Sequence, residues 1–211
     1  MPSTPVRINP GKRAVIAART GAGKSTLANW LLQQSPGHWV ILNPKWTKAF
    51  DNLPGAKVIE GLDLKKISKS LEENRYTVVN PHPNQQKPEL LDLFVQWLHE
   101  NYTDVGLCLD ESYAVHTNGK AGPGLIGWLT RGRELKQSFI GLTQRPAWLS
   151  KFLFSESDFI CSMSLTMEED RKRMFEFTGR AAYLNKLPPH EWLWYDVAQD
   201  NLRAFDPVPL T

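Results

Sequence analysis

Short apolar runs alternate along the chain with stretches in which apolar residues recur every three to four positions. That alternation predicts an α/β protein, a mostly parallel sheet covered by helices. The run AVIAA (14–18) predicts a first strand, followed by a glycine-containing loop and a helix through KSTLANWLLQQ. HWVILN (38–43) and YTVVN (76–80) predict two more strands, and a helix over 89–102 leads to the strand VGLCLD (105–110). A Gly-rich loop around HTNGKAGPG precedes a helix over 125–136 and the strand SFIGLT (138–143). DFICSMSL (158–165) predicts a further strand, and residues 167–179 a charged amphipathic helix closed by Gly179. EWLWYDV and LRAF predict a terminal hairpin or edge strands, with Trp192 and Trp194 packing one side of the first or bordering a base.

Composition adds bounds. The chain has 211 residues, 41% hydrophobic and 22% charged, which suits one globular domain over 1–211, with a core about 12–165 and C-terminal helix and edge strands about 166–211. No apolar run reaches the length of a membrane span, and the first residues lack the apolar block of a signal peptide, so an intracellular location is expected. Cys108 and Cys161 lie far apart inside apolar runs and are expected to be buried free thiols. The net charge of +3 is too small to imply a polyanionic partner unless the basic residues are locally arranged.

The stretch ARTGAGKST (18–26) carries the clearest chemistry. Its glycines let successive backbone N–H groups turn toward phosphate oxygens, and the helix that begins there faces the anion with its positive end. Arg19, Thr20, Gly21, Ala22, Gly23, Lys24, Ser25 and Thr26 form the candidate nucleotide-binding loop. Lys24 is placed to reach the β- and γ-phosphates and Ser25 to ligate Mg²⁺, with ATP the expected nucleotide. The full pattern has glycine where this chain has Ala18, which fits the tight strand exit if its φ stays negative.

VGLCLDES ends a strand in two acids. Asp110 suits support of Mg²⁺ and Glu111 suits a general base that takes a proton from attacking water. In RGRELKQSFIGLTQRP, Gln144 ends a strand, and if that strand lies between those of the loop and the acids it faces the γ-phosphate. Arg131 and Arg133 close the preceding helix. They and Arg145 are candidates for an arginine supplied to a neighbouring subunit's site.

Together, ARTGAGKST, LCLDES and RGRE…GLTQRP resemble the FtsK–HerA superfamily of DNA-pumping ATPases. Within it, the compact chain and TQRP are most similar to the genome-packaging ATPases of tailless, membrane-containing DNA viruses. The resemblance runs from about residue 12 to residue 165. It implies a three-layer RecA-like fold of the additional-strand, catalytic-glutamate type, a homo-oligomeric ring, and double-stranded DNA driven through its channel. It also implies viral capsid vertex proteins as partners and a place in the host cytoplasm or at the virion vertex. Gln144 becomes the sensor. In ILNPK, Asn43 stands where the superfamily often has an acid.

Such a motor grips DNA of any sequence through its phosphates. Lys120 is the first candidate for that contact, and Lys45 and Lys48 follow. A cellular or plasmid translocase or helicase of the same superfamily is one alternative function. A small-molecule kinase, of another class, is the other.

Overall fold

The phosphate loop hangs from a fully buried strand in the middle of a nine-stranded sheet. A computed structural model describes residues 6–117 and 119–209. Its strands are β1 (Arg13–Ala17), β2 (His38–Leu42), β3 (Ala56–Glu60), β4 (Tyr76–Asn80), β5 (Val105–Leu109), β8 (Ser138–Thr143), β9 (Phe159–Ser162), β10 (Trp192–Asp196) and β11 (Asn201–Phe205). A separate short hairpin pairs β6 (His116–Thr117) with β7 (Lys120–Ala121). The helices are α1 (Lys24–Gln34), α2 (Leu64–Glu73), α3 (Pro88–Asn101), α4 (Pro123–Arg131), α5 (Lys151–Ser155) and α6 (Glu168–Thr178).

The order across the sheet is β11-β10-β9-β1-β8-β5-β2-β4-β3. The seven strands from β9 to β3 run parallel, and β10 and β11 add to one edge antiparallel. Both neighbours of β1 are therefore later in the chain, and β8 sits between the loop strand and the acid strand, the condition for Gln144 to face the site. Alternation along β1 divides the core. Ala14 and Ile16 join α1 residues Leu27, Leu31 and Leu32 on one face, while Val15 and Ala17 join Leu91, Phe94, Leu125 and Trp128 from α3 and α4 on the other. Three layers result. Cys108 and Cys161 are buried free thiols, as expected.

The structure corrects several boundaries and fills one gap. The helix expected over 125–136 stops at Arg131, because Gly132 turns the chain and its carbonyl accepts from Gln137 N. Arg133 thus lies beyond the helix rather than in its last turn. The strand expected over 158–165 is confined to Phe159–Ser162. The Gly-rich loop after the acids contains the β6–β7 hairpin, and Asn118 within it lies outside the described residues. Between 44 and 75, where no element was expected, the chain forms edge strand β3 and α2, whose first turn is capped by Asp63 accepting from Lys66 N. Among the described residues no helix is long and apolar enough to cross a membrane.

Candidate nucleotide-binding and hydrolysis site

The candidate phosphate-binding residues gather at the C-terminal ends of the parallel strands, where ligands bind in open α/β sheets. Ala18 N bonds to Thr143 O of β8 and Arg19 N to Ser164 O beyond β9, so both neighbours of β1 hold the base of the loop. Ala18 is fully buried and is not among the residues at positive φ, which is why alanine is tolerated there. Gly21 and Gly23 sit at φ 76° and 97°. At Gly23 a β-carbon would also lie 3.0 Å from His190 Nδ1, so both conformation and space require glycine.

α1 starts at Lys24 with no side chain capping it and no acid in its first turn, leaving its N–H groups and positive end directed at the cleft. Lys24 is buried, with its Nζ 3.9 Å from Asp110 Oδ1. Burial pulls its pKa down. The Asp110 carboxylate opposes that, and the nearby Lys45 charge adds to it.

Asp110, only 1% exposed, accepts from Ser25 Oγ at 3.4 Å and from Thr47 Oγ1 at 2.8 Å. Burial raises its pKa against the opposing pull of Lys24. A buried carboxylate and a buried ammonium are thus each held under stress in the same pocket, an arrangement that a bound phosphate and cation relieve. One carboxylate and one hydroxyl are the hard oxygen donors that Mg²⁺ takes beside nucleotide phosphates, so Asp110 and Ser25 fit that ion. Among the described residues there is no cluster of three or more His, Cys, Asp or Glu side chains that would hold a metal without such phosphates.

The remaining groups come from separate elements. Glu111 follows Asp110 and pairs with Lys45 Nζ at 2.6 Å. Gln144, at the end of β8, accepts from Thr20 Oγ1 at 2.7 Å, tying the strand end to the phosphate loop. The cleft has a volume of about 610 Å³. Arg19, Lys24, Ser25, Lys45, Asp110 and Gln144 line its polar part, and Leu27, Met163, Trp192, Pro207 and Val208 its apolar part.

Four residues that line the cleft, Thr47, Met163, His190 and Val208, carry no sequence signal. His190 Nδ1 donates to Ala22 O at 3.1 Å from a backbone at φ 63°, so a residue far along the chain braces the phosphate loop. Trp192, one of the two tryptophans considered for a base, stacks on Phe205 at a centroid distance of 4.3 Å and lines the cleft.

Several expected residues lie elsewhere or are otherwise engaged. Lys45, grouped in the sequence with DNA contacts, sits in the nucleotide cleft because the loop after β2 turns it onto Glu111. Lys48 is on the surface, paired with Asp51 at 3.3 Å, and Lys120 is exposed on β7. Arg133 reaches Asp158 Oδ1 at 3.1 Å, beside Lys12 Nζ at 2.8 Å. Asp158 immediately precedes β9 and accepts from Arg13 N where β1 starts, so Arg133 stands at the opposite end of the strands from its own chain's cleft. Five strand residues span roughly 16 Å, which excludes a role for Arg133 in cis. Arg131 is exposed in the same turn region. Arg145 is committed to Glu169 and Asp170 of α6 and lies over the Trp148 ring at 4.3 Å.

Fold and cleft together define a P-loop ATPase whose acid strand and loop strand are separated by one added strand. The comparisons agree. No family model matches the chain. The DNA packaging ATPase P9 of Enterobacteria phage PRD1 is 30% identical over 213 residues, covering 95% of this chain and 89% of that protein. The chain therefore belongs to the family of that packaging ATPase.

Among solved structures, the genome packaging NTPase B204 from Sulfolobus turreted icosahedral virus 2, in complex with AMPPCP, superposes with a TM-score of 0.75 at 19% identity, over 95% of this chain and 100% of that one. VirB4 of Thermoanaerobacter pseudethanolicus gives 0.70 at 12% identity, over 94% and 89%. At those identities the two support the fold.

Proposed function

We propose that this chain, as one ATPase domain over residues 1–211, couples ATP hydrolysis to driving double-stranded viral DNA into a preformed capsid. The reading is carried by the convergence of Lys24, Ser25, Asp110 and Gln144 from three adjacent strand ends onto one cleft, with Glu111 joined to it through Lys45. Belonging to the family of a DNA packaging ATPase supports the DNA-directed part.

Loop N–H groups and Lys24 counter the charge of the β- and γ-phosphates, and the apolar end of the cleft beside Trp192 takes the base. Ser25 and Asp110 would hold Mg²⁺, which supplies further neutralisation of phosphate charge when bound. Glu111 accepts a proton from the water that attacks the γ-phosphorus, while the bond to the β-phosphate oxygen breaks and ADP and phosphate result. Gln144, bonded to Thr20, senses whether the γ-phosphate is present. Arg133, with Arg131 beside it, serves a neighbouring subunit's cleft in a homo-oligomeric ring, because it stands at the far edge from its own. Lys120 and Lys48 are the DNA-phosphate contacts, and the ring docks on capsid vertex proteins in the host cytoplasm or at the virion vertex.

The test is translocation along intact duplex. A duplex carrying a short third strand is mixed with the protein and ATP. The third strand is displaced while the duplex stays paired, and Glu111→Gln displaces nothing. Separation of the duplex strands would point to a helicase. Phosphoryl transfer to a nucleoside without water hydrolysis would replace the motor by a kinase.

A further inference from the structure

The loop between β2 and β3 is built to hold one lysine in place. Fully buried Asn43 folds it, with Oδ1 accepting from Thr47 N at 2.8 Å and Nδ2 donating to Thr47 O at 3.3 Å and to Asn80 Oδ1 at 2.9 Å. Trp46 N bonds to Asn43 O at 3.1 Å, and Trp46 occupies φ 55°, a conformation that a bulky residue adopts only when its surroundings fix it. The surroundings do so here. Trp46 Nε1 donates to Pro81 O at 3.1 Å, and Gln86 Nε2 donates to Pro44 O at 2.9 Å. With backbone and neighbours fixed, Thr47 reaches Asp110 and Lys45 reaches Glu111.

At 2.6 Å the Lys45 ammonium occupies Glu111 Oε2, so in this arrangement that oxygen faces the lysine and not a water in the cleft. The same ammonium lines the cleft that Lys24 and Ser25 line, where a triphosphate's terminal group carries more negative charge than one carboxylate. We infer that Lys45 is a catalytic residue that exchanges partners, pairing with Glu111 in the nucleotide-free chain and moving to the γ-phosphate when a triphosphate enters, which frees Glu111 to act on water.

Asn43 then has a definite task. Its neutral amide holds the loop by accepting and donating at once, which a carboxylate at that position could not do, and it adds no anion to compete with Glu111 for Lys45. The exchange moves no proton and breaks no covalent bond. The ammonium keeps its three hydrogens and changes acceptor.

This inference rests on the nucleotide reading of the cleft, and the test separates the two. AMPPCP and ADP, each with Mg²⁺, are titrated into the full chain and into Lys45→Ala, Lys45→Arg, Glu111→Gln and the Lys45→Ala/Glu111→Gln pair. Loss of one charge-assisted contact to the γ-phosphate weakens AMPPCP about tenfold in Lys45→Ala, with ADP unchanged and Lys45→Arg recovering most of the loss. Glu111→Gln releases the lysine from its carboxylate and tightens AMPPCP, and that gain is absent when Lys45 is already alanine.

Equal weakening of AMPPCP and ADP, or of neither, overturns the exchange. So does a gain from Glu111→Gln that persists without Lys45. Loss of duplex DNA binding alone in Lys45→Ala would overturn it and return the lysine to a DNA surface. If the unaltered chain binds neither nucleotide and Lys24→Ala changes nothing, the nucleotide reading itself falls.

Discussion

Gly23→Ala tests how the C-terminal segment supports the phosphate loop. The position sits at φ 97°, and an L side chain there costs about 1–2 kcal/mol. The added β-carbon would stand 3.0 Å from His190 Nδ1 and 3.3 Å from Met163 Cε. Moving His190 aside breaks its bond to Ala22 O, worth about 1 kcal/mol. The sum, about 2–3 kcal/mol, lowers the melting temperature of a chain this size by roughly 4–12 °C.

A second variant separates the two causes. His190→Gly suits φ 63° and removes the ring that the new β-carbon meets. In the double variant the contact part of the Gly23 penalty disappears and the backbone part stays, a coupling of about 1 kcal/mol. Urea unfolding of all four proteins gives the stabilities, and AMPPCP titration reports whether the loop still forms. A Gly23→Ala protein within about 0.5 kcal/mol of the unaltered chain and with full nucleotide affinity would refute the reasoning, since a mutation at an unconstrained surface site has an effect of that size.

Three further outcomes follow from the geometry. Burial raises the Asp110 pKa above its unfolded value, so the folded chain binds that proton more tightly and loses stability as pH rises from the ordinary carboxylate range through the raised pKa. Asp110→Asn should therefore make the nucleotide-free protein more stable at pH 7, with the gain shrinking at pH 4; urea melts at the two values check the sign. Asp92 accepts from Gly124 N and Leu125 N, both at 2.9 Å, and supplies from α3 the cap that α4 lacks. Asp92→Ala should cost about 2–4 kcal/mol in urea melts. Arg133→Ala should stop turnover while keeping AMPPCP affinity, and mixing it with Glu111→Gln subunits should restore part of the rate; failure to complement would place the arginine's role within one chain.

The phosphate loop was legible because strand, glycines and helix are contiguous in sequence, and the acid pair and Gln144 because each ends an unmistakably apolar run. The order of strands was not, since it depends on crossovers that no local pattern encodes. Segment 44–75 escaped notice for a physical reason. β3 is an edge strand with Ile59 as its one buried residue, and α2 buries only Ile67, Ser70 and Leu71. Thr47 and His190 arrive from loops, and only convergence in space brings them to the cleft. The polar setting of Lys45 in NPKWTK points to DNA, whereas the loop that Asn43 folds turns it into the cleft.

The central claim is that this cleft hydrolyses ATP in the service of moving duplex DNA. Steady-state ATP hydrolysis against protein concentration, with and without linear duplex DNA and with Glu111→Gln as control, tests it most directly. The rate per subunit should rise steeply with concentration and again with duplex, and disappear in the variant. A rate that is flat in concentration, indifferent to DNA and intact in Glu111→Gln would contradict it.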